Sequence, residues 1–342
     1  MTTRRSPYLV GPLYDWAFFL LPPLASLVIG ILISGTAFTE DEILIAGQDA
    51  TWAGLVIGAI IHAHLVAVFF RSHGNRDIYK LYRFRFVVVP IVLWLVIVAS
   101  TWVAISAAIA ATFWDVWHSG AQTFGFGRIY DRNAGVAADV GRRLDFWLNQ
   151  LMYAGPIIGG ATLLDHLDQF ENFDSVGAVF FTEVPAHAES AHRYFTWAVL
   201  IAGGLFLLYY LAFNWQLARR GLGPSRLKVF LYVTTGACSI YTWGFNSWGE
   251  AFFIMNLFHA VQYLALVWAM EHKRWLAWLG RDGRPAGKRL AAALFLGAVL
   301  AYGWAVQLVE PDLITVWAVT IVVSLMHFWY DSFIWSVRKN QV

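Results

Sequence analysis

Charge is scarce in this chain. Lys, Arg, Asp and Glu make up 13% of its 342 residues, about half the roughly 25% of a soluble domain. Cysteine is scarcer still: Cys238 stands alone. That excludes an intrachain disulfide framework and a thiolate metal cluster. There is no GxSxG elbow, no P-loop and no HExxH. The two glycines of Gly125-Phe-Gly127 follow no strand, so they are no dinucleotide fingerprint. The N-terminal stretch lacks the short apolar region and cleavage site of a secretory signal, so Met1 is expected to begin the mature chain. The net charge of +2 gives no reason to expect a nucleic-acid partner.

Apolar residues fill the space that charge leaves. They make up 59% of the chain, and 18 Trp, 14 Tyr and 26 Phe bring the aromatic share to 17%. Long apolar runs recur from residue 13 to residue 337, the signature of a polytopic, all-α membrane bundle. The runs predict about ten spans, at 13–35, 52–70, 84–100, 102–127, 145–164, 194–214, 228–245, 249–270, 288–307 and 313–337. A run of 42 residues, 86–127, is too long for one crossing, and a turn is expected at Ser100–Trp102. Pro22, Pro23 and Pro90 are expected to kink their helices.

The loops alternate in charge. Segments 71–85, 128–143, 219–228 and 271–289 are basic, as are Arg4, Arg5, Arg338 and Lys339; segments 39–42, 165–175 and 308–312 are acidic. By the positive-inside rule both termini are then cytoplasmic, in a bacterial inner membrane. No repeat or linker divides residues 1–342, which read as one transmembrane domain with the lipid bilayer as its first partner.

Four histidines fall inside separate apolar runs: His62, His118, His259 and His327. The first charge beyond each lies 9 residues on at Arg71, 10 at Arg128, 12 at Glu271 and 11 at Arg338. At about 1.5 Å of rise per residue, the four imidazoles share one layer, roughly 13–18 Å from a helix end. Ionisable groups at that depth are costly and functional by default, and imidazole is a common ligand for iron, copper and zinc. Three of the four have polar company at helical spacing: Gln122 with His118, Gln262 with His259 and Asp331 with His327. These three fit the role of fixing a ligand imidazole's second nitrogen. His64 is a fifth candidate ligand, about 200° around the helix from His62. His73 either folds back over the site or stays at the surface, whereas His166, His187, His192 and His272 are expected to be solvated. Trp114, Trp117, Phe124, Phe258, Tyr263, Phe328, Trp329 and Tyr330 lie within two turns of the layer and fit an apolar substrate.

These segments resemble the Brp/Blh family, the membrane-embedded bacterial β-carotene dioxygenases. His327-Phe-Trp-Tyr-Asp331-Ser-Phe-Ile is similar to the family's last motif, Trp117-His118-Ser-Gly120 to its His-Phe-Gly segment, and Phe258-His259 to its third. Ile61-His62-Ala-His64 departs from the family's Pro-His-Gly segment, and Gln262 stands where a further histidine is the rule. The resemblance implies an all-helical fold and iron (Fe2+) with oxygen chemistry. The expected function is a non-haem iron oxygenase acting on an apolar lipid or isoprenoid. His62, His118, His259 and His327 would be the ligands, and Asp331 would orient one of them. A bis-histidine haem protein and a proton-coupled transporter remain open on the same residues.

Overall fold

The computed structural model describes residues 6–45, 47–246, 248–280, 284–308 and 314–335. Arg4, Arg5, Arg281, Asp282, Glu310, Asp312, Arg338 and Lys339, counted above among the loop and terminal charges, lie outside them. The structure is 83% helical. Its only strands among the described residues are one antiparallel hairpin, β1 (Glu42–Ile45) paired with β2 (Gln48–Thr51).

Ten helices of at least 12 residues run along the described chain: α1 (Pro22–Ile33), α2 (Trp52–Ser72), α3 (Arg76–Ala99), α4 (Thr101–Asn133), α5 (Arg142–Gly159), α6 (Val184–Arg219), α7 (Arg226–Phe245), α8 (Trp248–Trp278), α9 (Pro285–Gln307) and α10 (Ile314–Ile334). Side-chain caps start several of them. The Thr51 hydroxyl accepts from Gly54 N before α2, the Asn75 amide oxygen from Asp77 N and Ile78 N before α3, and the Ser225 hydroxyl from Leu227 N before α7. The expected turn falls at Ser100, whose extended backbone separates α3 from α4.

Among the described residues six helices are long and apolar enough to cross a membrane, as in an integral membrane protein; a seventh span is added if the bent pair Pro12–Leu20 and Pro22–Ile33, at 47°, counts as one. The expected count of about ten is therefore not supported. The shortfall is physical. Helix α4 carries Asp115, His118, Gln122 and Thr123; α5 carries Asp145, Asn149 and Gln150; α7 carries Lys228, Thr234, Thr235 and Ser239. Most of these side chains are buried, so the helices are polar inside the protein rather than uniformly apolar.

The chain forms two compact units. The first comprises residues 1–32 and 112–259, the second residues 33–111 and 260–342. In the first, α5 packs on α6 and α7. The α4 residues from Thr112 onward join them: the Thr123 and Tyr153 hydroxyls lie 2.9 Å apart, and the Tyr232 ring lies where a side chain on Gly127 would be. In the second unit α2 packs on α9 and α10, and α10 on α3. Gly303 lets α9 approach closely, since a Cβ there would run into the Ala59 carbonyl.

Candidate metal centre

His64 follows His62 by two positions on α2, so the rings leave opposite sides of the helix. His62 faces α9: its Nδ1 donates to Gly58 O at 2.8 Å, and Gln307 Nε2 lies 3.4 Å away. His64 is fully buried on the other side, facing α10, where its ring meets that of His327 at 5.1 Å between centroids and 84° between planes.

The polar contacts of His327 fix its proton. Nδ1 lies 3.1 Å from Leu65 O, a carbonyl that can only accept, so Nδ1 carries the hydrogen. In the neutral ring the lone pair then sits on Nε2, which lies 3.8 Å from Asp331 Oδ2, one turn on along α10. The other carboxylate oxygen, Asp331 Oδ1, accepts from Tyr263 OH and from Trp335 Nε1, both at 2.8 Å. The Tyr263 ring also packs on His327, with centroids 4.5 Å apart.

Arg71 supports this arrangement from the end of α2. Its guanidinium stacks 3.9 Å above the Trp335 ring, donates to Ile334 O at the end of α10, and pairs with Glu271 Oε1 at 2.6 Å. Arg71 and Glu271 are both buried, and Asn75 and Arg274 complete the carboxylate's partners. His73 lies outside the helix, stacked among Phe69, Tyr79, Phe86 and Tyr330, with Nε2 3.3 Å from Phe86 O. Burial pulls its imidazole below the ordinary histidine range.

The first unit holds the other two candidate histidines together. The buried rings of His118 and His259 meet at 5.2 Å and 82°, and Gln122 Nε2 donates to His259 O at 3.4 Å. Gln122 thus holds the backbone beneath a candidate ligand. Gln262 is fully buried on α8. Among the aromatic candidates Phe258, Tyr263, Phe328 and Tyr330 are buried, whereas Trp117 is exposed.

Two features escaped the sequence reading. His166, expected to be solvated, is buried: Nδ1 donates to Thr162 O at 2.7 Å and the ring packs on Trp243. Burial lowers its pKa. The second feature is a buried ionic cluster in the first unit. Arg128 Nη1 lies 3.0 Å from Asp131 and 2.6 Å from Asp145, and Lys228 Nζ lies 2.7 and 2.8 Å from the same two carboxylates. Tyr210 donates to Asp145 and Ser225 N to Asp131. Two cations and two carboxylates are thus balanced inside the protein, although Arg128, Asp131 and Lys228 fall in segments expected to be loops. The one signal in the sequence was the helical spacing of Asp145, Asn149 and Tyr153.

The chain matches no family model, no curated protein and no solved structure.

Proposed function

We propose that this integral membrane protein is a non-haem iron oxygenase acting on an apolar lipid, isoprenoid or carotenoid-like substrate. The observations that carry the reading are two contacts of His327 in the second unit: its ring meets that of His64 at 5.1 Å between centroids, and its Nε2 lies 3.8 Å from Asp331 Oδ2. Two imidazoles and one carboxylate form the donor set typical of non-haem Fe(II) oxygenases. The donors fit a metal: a neutral His327 with Nδ1 donating to Leu65 O offers the lone pair of Nε2, and Asp331 Oδ2 lies beside it while Oδ1 is held by two donors. Iron bound there would supply dioxygen activation.

The chain's own residues do the rest. The Leu65 carbonyl holds the His327 tautomer; Tyr263 and Trp335 fix the carboxylate plane. Phe328 and Tyr330, both buried, keep the surroundings apolar and exclude water. The resemblance of the His327–Asp331 segment to the Brp/Blh family supports the same chemistry. A haem is the poorer fit. The rings of His64 and His327 are only 5.1 Å apart between centroids, which leaves no room for a porphyrin between them.

The test is oxygen uptake by the iron-loaded protein in lipid nanodiscs on addition of a carotenoid or a linear isoprenoid. Substrate-dependent uptake that is lost in His327→Ala and Asp331→Ala is expected. Uptake that persists in both variants overturns the reading.

A further inference from the structure

Helix α2 sets a charge axis for the second unit. Its 21 residues, Trp52–Ser72, rise about 30 Å, close to the thickness of a bilayer's hydrocarbon core. Before its start Glu40, Asp41, Glu42 and Asp49 are exposed. Beyond its end Arg76, Lys80, Arg83 and Arg85 are exposed on α3. The end of α8 lies at the same basic end, because Glu271 of α8 pairs with Arg71 of α2 at 2.6 Å; Lys273, two residues on, is exposed there.

Helix α3 is built as two pieces. Its backbone leaves helical geometry at Tyr82, with φ −131° and ψ 19°. The first piece is amphipathic: Ile78 is buried, whereas Arg76 and Lys80, one turn apart, are exposed. The second piece opens with Arg83 and Arg85. It continues as an apolar helix that the protein hardly covers, with Val87, Val88, Ile91, Val92, Leu95 and Val96 all exposed. Such a surface suits acyl chains rather than water. The four cations of α3 therefore stand where the lipid-facing surface begins, at the level of the headgroups.

The protein leaves the charge of these cations unmatched. Asp77 is the one exposed carboxylate at this end among the described residues, and it lies 3.5 Å from Arg274, which also pairs with Glu271. No carboxylate among the described residues pairs with Arg76, Lys80, Arg83 or Arg85. Arg85 is nonetheless held in place. Its guanidinium carbon lies 5.6 Å from the Tyr82 ring, 5.1 Å from that of Phe333 and 5.9 Å from that of Trp329. The Tyr330 hydroxyl donates to its backbone carbonyl at 3.4 Å. Aromatic rings orient a guanidinium without cancelling its charge, and an oriented guanidinium is suited to bidentate binding of a phosphate. Beside the cations Leu81 is 65% exposed and Phe84 67% exposed. A soluble anion would leave both in water. A phospholipid matches both halves of the surface, its phosphate with the cations and its acyl chains with Leu81 and Phe84.

We propose that this end of the second unit is a binding site for the headgroup of an anionic phospholipid, formed by Arg76, Lys80, Arg83 and Arg85, with Leu81 and Phe84 against the acyl chains. A zwitterionic lipid fits less well, because its ammonium group meets the same four cations. The site uses no residue of the His64–His327–Asp331 centre, so it stands or falls separately from the iron reading.

The experiment titrates the full chain, in a neutral detergent, with dioleoyl phosphatidylglycerol and separately with dioleoyl phosphatidylcholine. Native mass spectrometry counts the bound lipid. The acyl chains are identical, so only the headgroups are compared. The wild type is expected to prefer phosphatidylglycerol on the order of tenfold. Lys80→Gln and Arg83→Gln should each weaken phosphatidylglycerol about fivefold and leave phosphatidylcholine unchanged. Both side chains are exposed, so these two variants decide the matter even if Arg85→Gln disturbs the rings around it. Arg83→Lys keeps the charge and should restore most of the affinity that Arg83→Gln loses. Inorganic phosphate should displace phosphatidylglycerol no better than chloride does at equal ionic strength. Equal affinity of the wild type for the two lipids overturns the proposal, as does phosphatidylglycerol binding that is unchanged in Lys80→Gln/Arg83→Gln. Displacement by phosphate beyond that by chloride overturns it too, since the face would then bind a free anion.

Discussion

Tyr263→Phe is the most informative single substitution at the candidate centre. It removes one hydroxyl and leaves the ring that packs 4.5 Å from His327. Asp331 Oδ1 then keeps Trp335 Nε1 and loses its other 2.8 Å donor. A hydrogen bond to a charged acceptor contributes about 1.5–3 kcal/mol, and tenfold in affinity is about 1.4 kcal/mol. The two scales agree on a loss of roughly 10–100-fold in metal affinity, the range usual for an outer partner of a metal ligand. One effect opposes this, since a carboxylate with fewer donors is more basic and a stronger ligand. Orientation should win, because Oδ2 must stay beside His327 Nε2 and one of the two 2.8 Å donors that hold the carboxylate plane is gone. The assay is a competition titration of Fe(II) into the stripped protein against a chelator of known affinity, for the wild type, Tyr263→Phe and Trp335→Phe. Wild-type or tighter affinity in both variants would refute the reasoning, because Asp331 would then need neither donor to serve the metal.

Three further outcomes follow from other parts of the molecule. Arg71→Met leaves Glu271 buried and short of its closest partner, so unfolding in detergent should become easier by about 3–5 kcal/mol, with Arg71→Met/Glu271→Gln recovering part of the loss; a cost no larger than that of an exposed substitution would contradict the buried pairing. The lowered pKa of His166 means that the folded protein binds its proton less readily than the unfolded chain does. Stability should therefore fall as pH drops below 6.5, the ordinary histidine value, and the acid slope should be shallower in His166→Asn, as pH-dependent thermal unfolding would report. Reporter fusions after Arg143 and after Asp174 should lie on opposite sides of the membrane, because the polar residues of α5 face protein and not lipid; the same side for both would show that α5 does not cross.

The Asp331 spacing is visible in the sequence because it is local. Asp331 follows His327 by one helical turn, and the contact between them is an i,i+4 contact. What sequence could not supply was the rotation of α2. The opposed directions of His62 and His64 were plain from their spacing, but which side meets α10 depends on how α2 packs on α9, where Gly303 lets the helices close on each other. The ionic cluster was hidden for a related reason. Arg128 and Lys228 were read as loop charges, and their partners Asp131 and Asp145 belong to contacts spanning up to 97 residues. Burial of those charges also explains why α4, α5 and α7 fall short of the apolarity of a simple membrane span. His166 followed the same pattern: its sequence neighbours are acidic and polar, but its ring is covered by Trp243, 77 residues later by the numbering.

The central claim is that His64, His327 and Asp331 hold iron. Elemental analysis and an absorption spectrum of the purified protein test it most directly, with His64→Ala, His327→Ala and His62→Ala alongside. The account predicts near-stoichiometric iron without a Soret band in the wild type and in His62→Ala, and little iron in the other two variants. A wild-type protein free of iron, a Soret band, or iron retained in both His64→Ala and His327→Ala would contradict it.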